Sequence, residues 1–222
     1  ASVGRGFRAP NLVERYFDGP TPEGSAYQTA TPGLKPERSL NVDLGAKWRS
    51  DRFAAEAFVY RNDIHDAVRI SPTGVKISNL PEYKNVNIGK LRAHGYEATG
   101  TALLDHGFSL SANYSMVKSS NLLDRSAPVG DTYANKLVGT LGWRAASNRV
   151  WGEYVVRRNG EQKDIVAGSS PVGNVLPAFV VHGIRGGARL FTIGGVREDL
   201  DLQLNNIGNA LYAESANAGF FR

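Results

Sequence analysis

Between Ser39 and Arg61 the chain reads SLNVDLGAKWRSDRFAAEAFVYR, and its first half alternates almost without a break. Leu40, Val42, Leu44, Ala46 and Trp48 fall on one side of an extended chain, and Asn41, Asp43, Gly45, Lys47 and Arg49 on the other. Successive side chains of a strand point to opposite faces, so this period of two predicts a strand with one apolar and one wet face. Ser50-Asp51 predicts a tight turn, and a second strand is expected over 53–70. The hairpin then recurs. Extended segments are expected at 84–104, from Phe108, and at 135–145, 149–159, 178–190 and 198–206. Phe108, Leu110, Ala112, Tyr114 and Met116 alternate with Ser109, Ser111, Asn113 and Ser115, and Leu200, Leu202 and Leu204 with Asp199, Asp201 and Gln203.

The connections alternate in length. Short turns centre near residues 51, 106 and 147, with a slightly longer one at 191–197, whereas 10–38, 71–83, 119–134 and 160–177 read as long loops punctuated by Pro and Gly. In an up-and-down meander that ordering puts all short turns at one end and all long loops at the other, as in bacterial outer-membrane barrels. A soluble sandwich has no physical reason to sort its loops. The aromatic residues point the same way. Trp48, Phe53, Phe108, Trp143 and Trp151 flank the short turns, and Tyr60, Tyr114 and Tyr154 lie further along the strands. Two aromatic bands around a strip of small apolar residues are expected to form girdles at the two membrane interfaces.

Composition narrows the classes. The chain of 222 residues is 41% hydrophobic and 21% charged, ordinary for a folded protein. No run approaches the ~18 apolar residues of a spanning helix, which leaves spanning by strands open. Cysteine is absent, removing disulfides and thiolate chemistry. The net charge of +5 comes from basic residues scattered over turns and wet faces, which argues against a nucleic-acid surface. None of the common hydrolase, zinc or phosphate-loop motifs is present, so no enzyme and no cofactor is expected. Gly183, Gly186 and Gly187 sit in a strand-like run, where they relieve crowding rather than cradle phosphate. His65, His94, His106 and His182 have no metal-ligand spacing.

Several segments, in order, resemble one family. Gly6-Phe7-Arg8-Ala9-Pro10-Asn11 followed by Gly33-Leu34-Lys35-Pro36-Glu37 is similar to the barrel of TonB-dependent outer-membrane receptors. So are Phe58 to Asp66, Tyr83 to Asn87 with Gly95-Tyr96-Glu97, and Asn205 to Tyr212. The resemblance implies an all-β chain, an antiparallel meander of about nine strands from a 22-stranded transmembrane barrel. It implies that residues 1–222 are a partial barrel domain, with the plug domain and closing C-terminal strand outside it. It also implies outer-membrane location, import of an iron chelate (ferric siderophore or haem) as cargo, and energy from the TonB complex through the missing N-terminal part. Residues 11–38 hold no histidine, which argues against axial haem ligation there. An anionic chelate would be met by cationic and aromatic loop groups, for which Arg15, Tyr16, Tyr27, Arg125, Tyr133, Arg157 and Arg158 are the candidates. A soluble carbohydrate-binding β-sandwich, which would bury the Leu40, Val42 and Leu44 face, and a passive porin are the alternatives.

Overall fold

A computed structural model describes residues 1–124, 134–163, 175–214 and 220–221. Its main element is a nine-stranded sheet: β1 (Ser2–Arg8), β2 (Glu37–Arg49), β3 (Phe53–His65), β4 (Lys90–Leu103), β5 (Phe108–Asn121), β6 (Asn135–Arg144), β7 (Val150–Asn159), β8 (Phe179–Ile193) and β9 (Val196–Leu204). Hydrogen-bonded neighbours follow chain order throughout, as a meander requires. The chain groups into two compact units, one of Ala1–Asp43, Tyr60–His94 and Ser119–Ala127, the other of Leu44–Val59, Gly95–Lys118 and Pro128–Arg222.

In the second unit the register fixes two faces of opposite character. Phe108 lies opposite Trp143, Leu110 opposite Leu141, and Tyr114 opposite Leu137. Leu141 in turn faces Tyr154, which faces Ile184, which faces Leu204. One residue out of step, Ser111, Thr140, Val155, Gly183 and their neighbours form the other face. That face holds its charges in pairs: Lys47 to Glu56 at 3.2 Å and Arg185 to Glu153 at 2.5 Å. The apolar face is left open, with Leu44 59% and Leu110 50% exposed. In the first unit Val42 is 41% exposed on the corresponding strand side. A sandwich would cover these residues, so this exposure removes the sandwich reading. Buried apolar side chains of the second unit are instead Leu176, Phe179, Val181 and Ala213, with Tyr212 packed on them.

The turns between strands are tight for identifiable reasons. Gly194 and Gly195 both take positive φ (58° and 82°), so the expected connection at 191–197 closes as a two-residue hairpin turn. Gly107 has φ 81°, and a β-carbon there would run into the Arg144 carbonyl oxygen. A residue with a side chain fits neither the backbone nor the space.

In the first unit the expectations at 53–70 and 71–83 are corrected. The strand stops at His65, because Asp66 turns to φ 56°. Val68–Ile77 then pairs antiparallel with Leu80–Asn87 through a turn at Ser78 and Asn79 (φ 49° and 67°). Residues 71–83 therefore form a hairpin rather than a loop. Pro72 and Pro81 read as breakers, but a register shift between Pro72 and Lys76 absorbs the interruption. Leu80–Asn87 also pairs in parallel with Tyr27–Thr29, which pairs with Gly19–Pro20, giving a four-stranded sheet built largely from the expected loops at 10–38 and 71–83. The segment expected to resume at residue 84 joins the main sheet only at Lys90.

An exposed apolar face of this extent is a lipid-facing surface. In the intact barrel Leu110→Arg is expected to lower stability by about 2–4 kcal/mol, while Ser111→Arg, one step away on the polar face, costs little. Urea midpoints of refolding into vesicles check this, and equal effects would reverse the assignment of faces.

Candidate functional site

The sequence placed its ligand candidates in the long connections, and the structure shows what those connections are made of. Pro10 ends β1, and Asn11 caps the helix α1 (Leu12–Tyr16). The Asn11 side chain accepts from the Glu14 backbone N–H at 2.8 Å, and Glu14 accepts from the Asn11 N–H at 2.8 Å. The Glu14 carboxylate also accepts from Arg8 at 3.0 Å. The other side of the Arg8 guanidinium donates to both Glu37 oxygens, at 2.6 and 2.8 Å. Glu37 further accepts from the Val68 N–H at 2.7 Å. The Arg8 and Glu37 motifs are thus one junction, in which a single planar cation bridges the end of β1, the helix cap, the start of β2 and the loop hairpin.

Two further groups tie the connections together. Asn87 accepts from the Lys35 N–H at 2.8 Å and donates to the Lys35 and Asp66 carbonyls, and Asn85, buried, donates to the Glu14 carbonyl at 3.0 Å. Glu82, buried in the four-stranded sheet, accepts from the hydroxyls of Thr29 and Thr73, both at 2.6 Å. Those hydroxyls, Thr29 first, and then Lys84 hold its carboxyl below the usual range against the opposing effect of burial.

The candidate residues divide on this scaffold. In the first unit Arg15 donates to the Pro32 carbonyl and lies 5.2 Å from the centre of the Tyr16 ring. Tyr16 is exposed beside the exposed Leu12 and Val13. Tyr27 donates its hydroxyl to Asp18 at 2.9 Å, which pushes the phenol pKa up. In the second unit Arg157 is on the polar face, 2.7 Å from Glu214 and above the rings of Phe179 (5.4 Å) and Tyr212 (5.3 Å). Arg158, the next residue, lies opposite Leu137 and Val180 on the apolar face. Arg125 and Tyr133 lie outside the described residues.

Arg157 lines a polar-face concavity of about 530 Å³ with Thr140, Arg185, Gln203, Asn205 and Glu214. Apart from Arg157 these residues were not among the ligand candidates read from the sequence. The usable signal was the strict alternation of 198–206, which sends every second polar residue to one face. The aromatic expectation also divides. Trp48 stacks with Phe53 (6.5 Å) and Tyr96 lies 5.7 Å from Tyr114, while Phe108, Trp143 and Tyr154 share the apolar face. Tyr60 follows Glu56 and Phe58 on the polar side of β3, and Trp151 packs over Gly187 on the polar face. Among the described residues no cluster of His, Asp and Glu is placed to hold a metal ion.

The comparisons with known proteins agree with this geometry. The family model for the TonB-dependent receptor-like β-barrel matches residues 1–209. The chain belongs to the TonB-dependent receptors. The family is one of transport receptors of the outer membrane, not of enzymes. The chain is 26% identical to a ferric enterobactin receptor of Pseudomonas aeruginosa over 95% of its own residues and 32% of that protein's. Among solved structures it is similar to a ferric enterobactin receptor variant from Pseudomonas aeruginosa in complex with enterobactin, with TM-score 0.73 and 25% identity over 98% of this chain and 34% of that one. The copper transporter OprC shares the fold, with TM-score 0.77 and 19% identity over 99% of this chain and 32% of that one. The chain spans about a third of the length of the curated relatives it matches.

Two outcomes follow for the receptor's connections. Arg8→Ala leaves Glu14 and Glu37 as unbridged like charges and is expected to destabilise the junction by about 1–2 kcal/mol, discounted for partial exposure. Faster proteolysis after α1 measures it. Glu82 titrates lower folded than unfolded, so its contribution is complete above the ordinary glutamate range near 4.3 and is lost as pH falls through the folded value. Hydrogen exchange in Tyr27–Thr29 and Leu80–Asn87, corrected for intrinsic rates, should rise with acid in the wild type, and the Glu82→Gln variant should lose that dependence.

Proposed function

We propose that this chain is part of a receptor that binds a ferric siderophore and imports it with energy from the TonB complex, received through a plug domain. The observation that carries the reading is the match to a ferric enterobactin receptor running through 95% of the chain, loop-bearing segments included. The sorted surfaces support it. The apolar face is suited to lipid, and the polar face presents Thr140, Arg157, Arg185, Gln203 and Asn205 beside Val138, Val155 and Val181, polar groups that a hydrophilic solute can meet. Arg15, Tyr16 and Tyr27 are the cargo candidates on the connections, with Tyr16 the most exposed contact surface. A siderophore is preferred to haem because residues 11–38 offer no histidine for axial ligation.

The full-length receptor should restore growth on a ferric catecholate to a strain deleted for its own siderophore receptors, and deletion of TonB should abolish the rescue. Rescue that persists without TonB would identify a passive pore. Rescue by haem alone would reassign the cargo.

A further inference from the structure

The β1 and β2 pair carries arginines of two kinds. Arg8 lies opposite Glu37 and is neutralised by two carboxylates. Arg5 lies opposite Leu40, and Arg38 opposite Phe7, so both belong to the opposite, apolar face. There they sit among Val3, Phe7, Leu40 and Val42, all exposed. Neither Arg5 nor Arg38 makes an ion pair or a side-chain hydrogen bond among the described residues, in contrast to Arg8. With Ser39, Leu40, His65 and Asp66 they line a shallow cavity of about 310 Å³, whose lining holds two arginines and one carboxylic acid residue.

A guanidinium on a lipid-facing surface is costly unless it reaches the interface and finds a counter-charge. Its position along the strand meets the first condition. Arg38 is the second residue of β2 and His65 the last of β3, so the site lies at the strand ends that the long connections join, where lipid phosphates lie. Planar guanidinium forks match phosphate oxygens bidentately, and Leu40 and Val42 offer an apolar bed for the acyl chains below.

We propose that Arg5 and Arg38, with His65 beside them, bind the phosphorylated headgroup of an outer-leaflet lipid. The site belongs to the membrane-facing wall and is separate from the cargo path.

The test uses the full-length receptor in phosphatidylcholine nanodiscs, titrated with bisphosphorylated lipid A and with its dephosphorylated form, with retained lipid read by native mass spectrometry. The wild type should prefer the phosphorylated lipid by on the order of tenfold or more. Arg5→Gln with Arg38→Gln should bring that preference close to unity, and Arg5→Lys with Arg38→Lys should keep most of it. Equal retention of both lipids by the wild type, or an undiminished preference in the glutamine variant, overturns the proposal. So does complete displacement by millimolar inorganic phosphate, which would mark a free-anion site. Heat-modifiable mobility reports whether the glutamine barrel has closed, and the wild-type comparison decides alone if it has not. Binding of the ferric catecholate should be unchanged by the glutamine variant. A wild type that prefers phosphorylated lipid but binds no chelate would count against the uptake reading and leave this one standing.

Discussion

The constraint on which the rest depends is that a backbone in lipid has no water to satisfy its N–H and C=O groups. Each unpaired group costs several kcal/mol there, so a spanning strand must be hydrogen-bonded along both edges. The meander meets this for every strand with a neighbour on each side. It also fixes side-chain chemistry, because a regular ladder forces alternate residues to opposite surfaces and each surface has a different solvent. The ladder that carries Leu110, Leu141, Tyr154, Ile184 and Leu204 into contact with lipid therefore turns Glu153 and Arg185 to the other side, where they pair. β1 and β9 end the strand order, and in a membrane their outer edges require further strands. That requirement agrees with a chain spanning about a third of its relatives.

Outside the main ladder the backbone has to be satisfied differently. Residues 10–38 and 66–89 leave most of their apolar side chains unburied and are tied together by polar groups. Arg8, Glu14, Glu37, Asn85, Asn87 and Glu82 each join segments distant in sequence. Charge-assisted and multiply bonded groups of this kind hold shape without a hydrophobic core. Among the described residues of that unit Leu34 and Ala67 are the buried apolar ones.

How much was legible follows from which signal each element carried. Strands with one lipid face announce themselves by alternation, so β2, β5, β6, β7 and β9 were read close to their observed bounds. The hairpin of Val68–Ile77 and Leu80–Asn87 carries Pro72, Gly74 and Pro81, so its middle, 71–83, looked like loop. Its signal was the Ser78-Asn79 pair, two residues able to take left-handed φ between segments of extended propensity. The aromatic reading overlooked parity. Trp151 and Tyr154 are three apart, and Phe53 and Tyr60 seven apart, so a regular strand sends the members of each pair to opposite faces. Phe108 and Tyr114, six apart, share one. The arginine candidates differ in another respect. Arg15 and Arg157 already have partners within the chain, and no local pattern predicts that Glu214 will meet Arg157.

The residues that identify the family and those that could choose a cargo are physically different sets. Arg8 and Glu37, from the two family segments, build the junction, with the cation of one segment held by the carboxylates of two others. Those groups are turned toward one another and have little capacity left for a ligand. Side chains outside the junction are of another kind, exposed on the helix as Tyr16 is, or lining the polar face as Gln203 and Asn205 do. The chain shares its fold with structures named as a ferric enterobactin receptor and as a copper transporter, so the fold by itself does not fix what such a barrel carries.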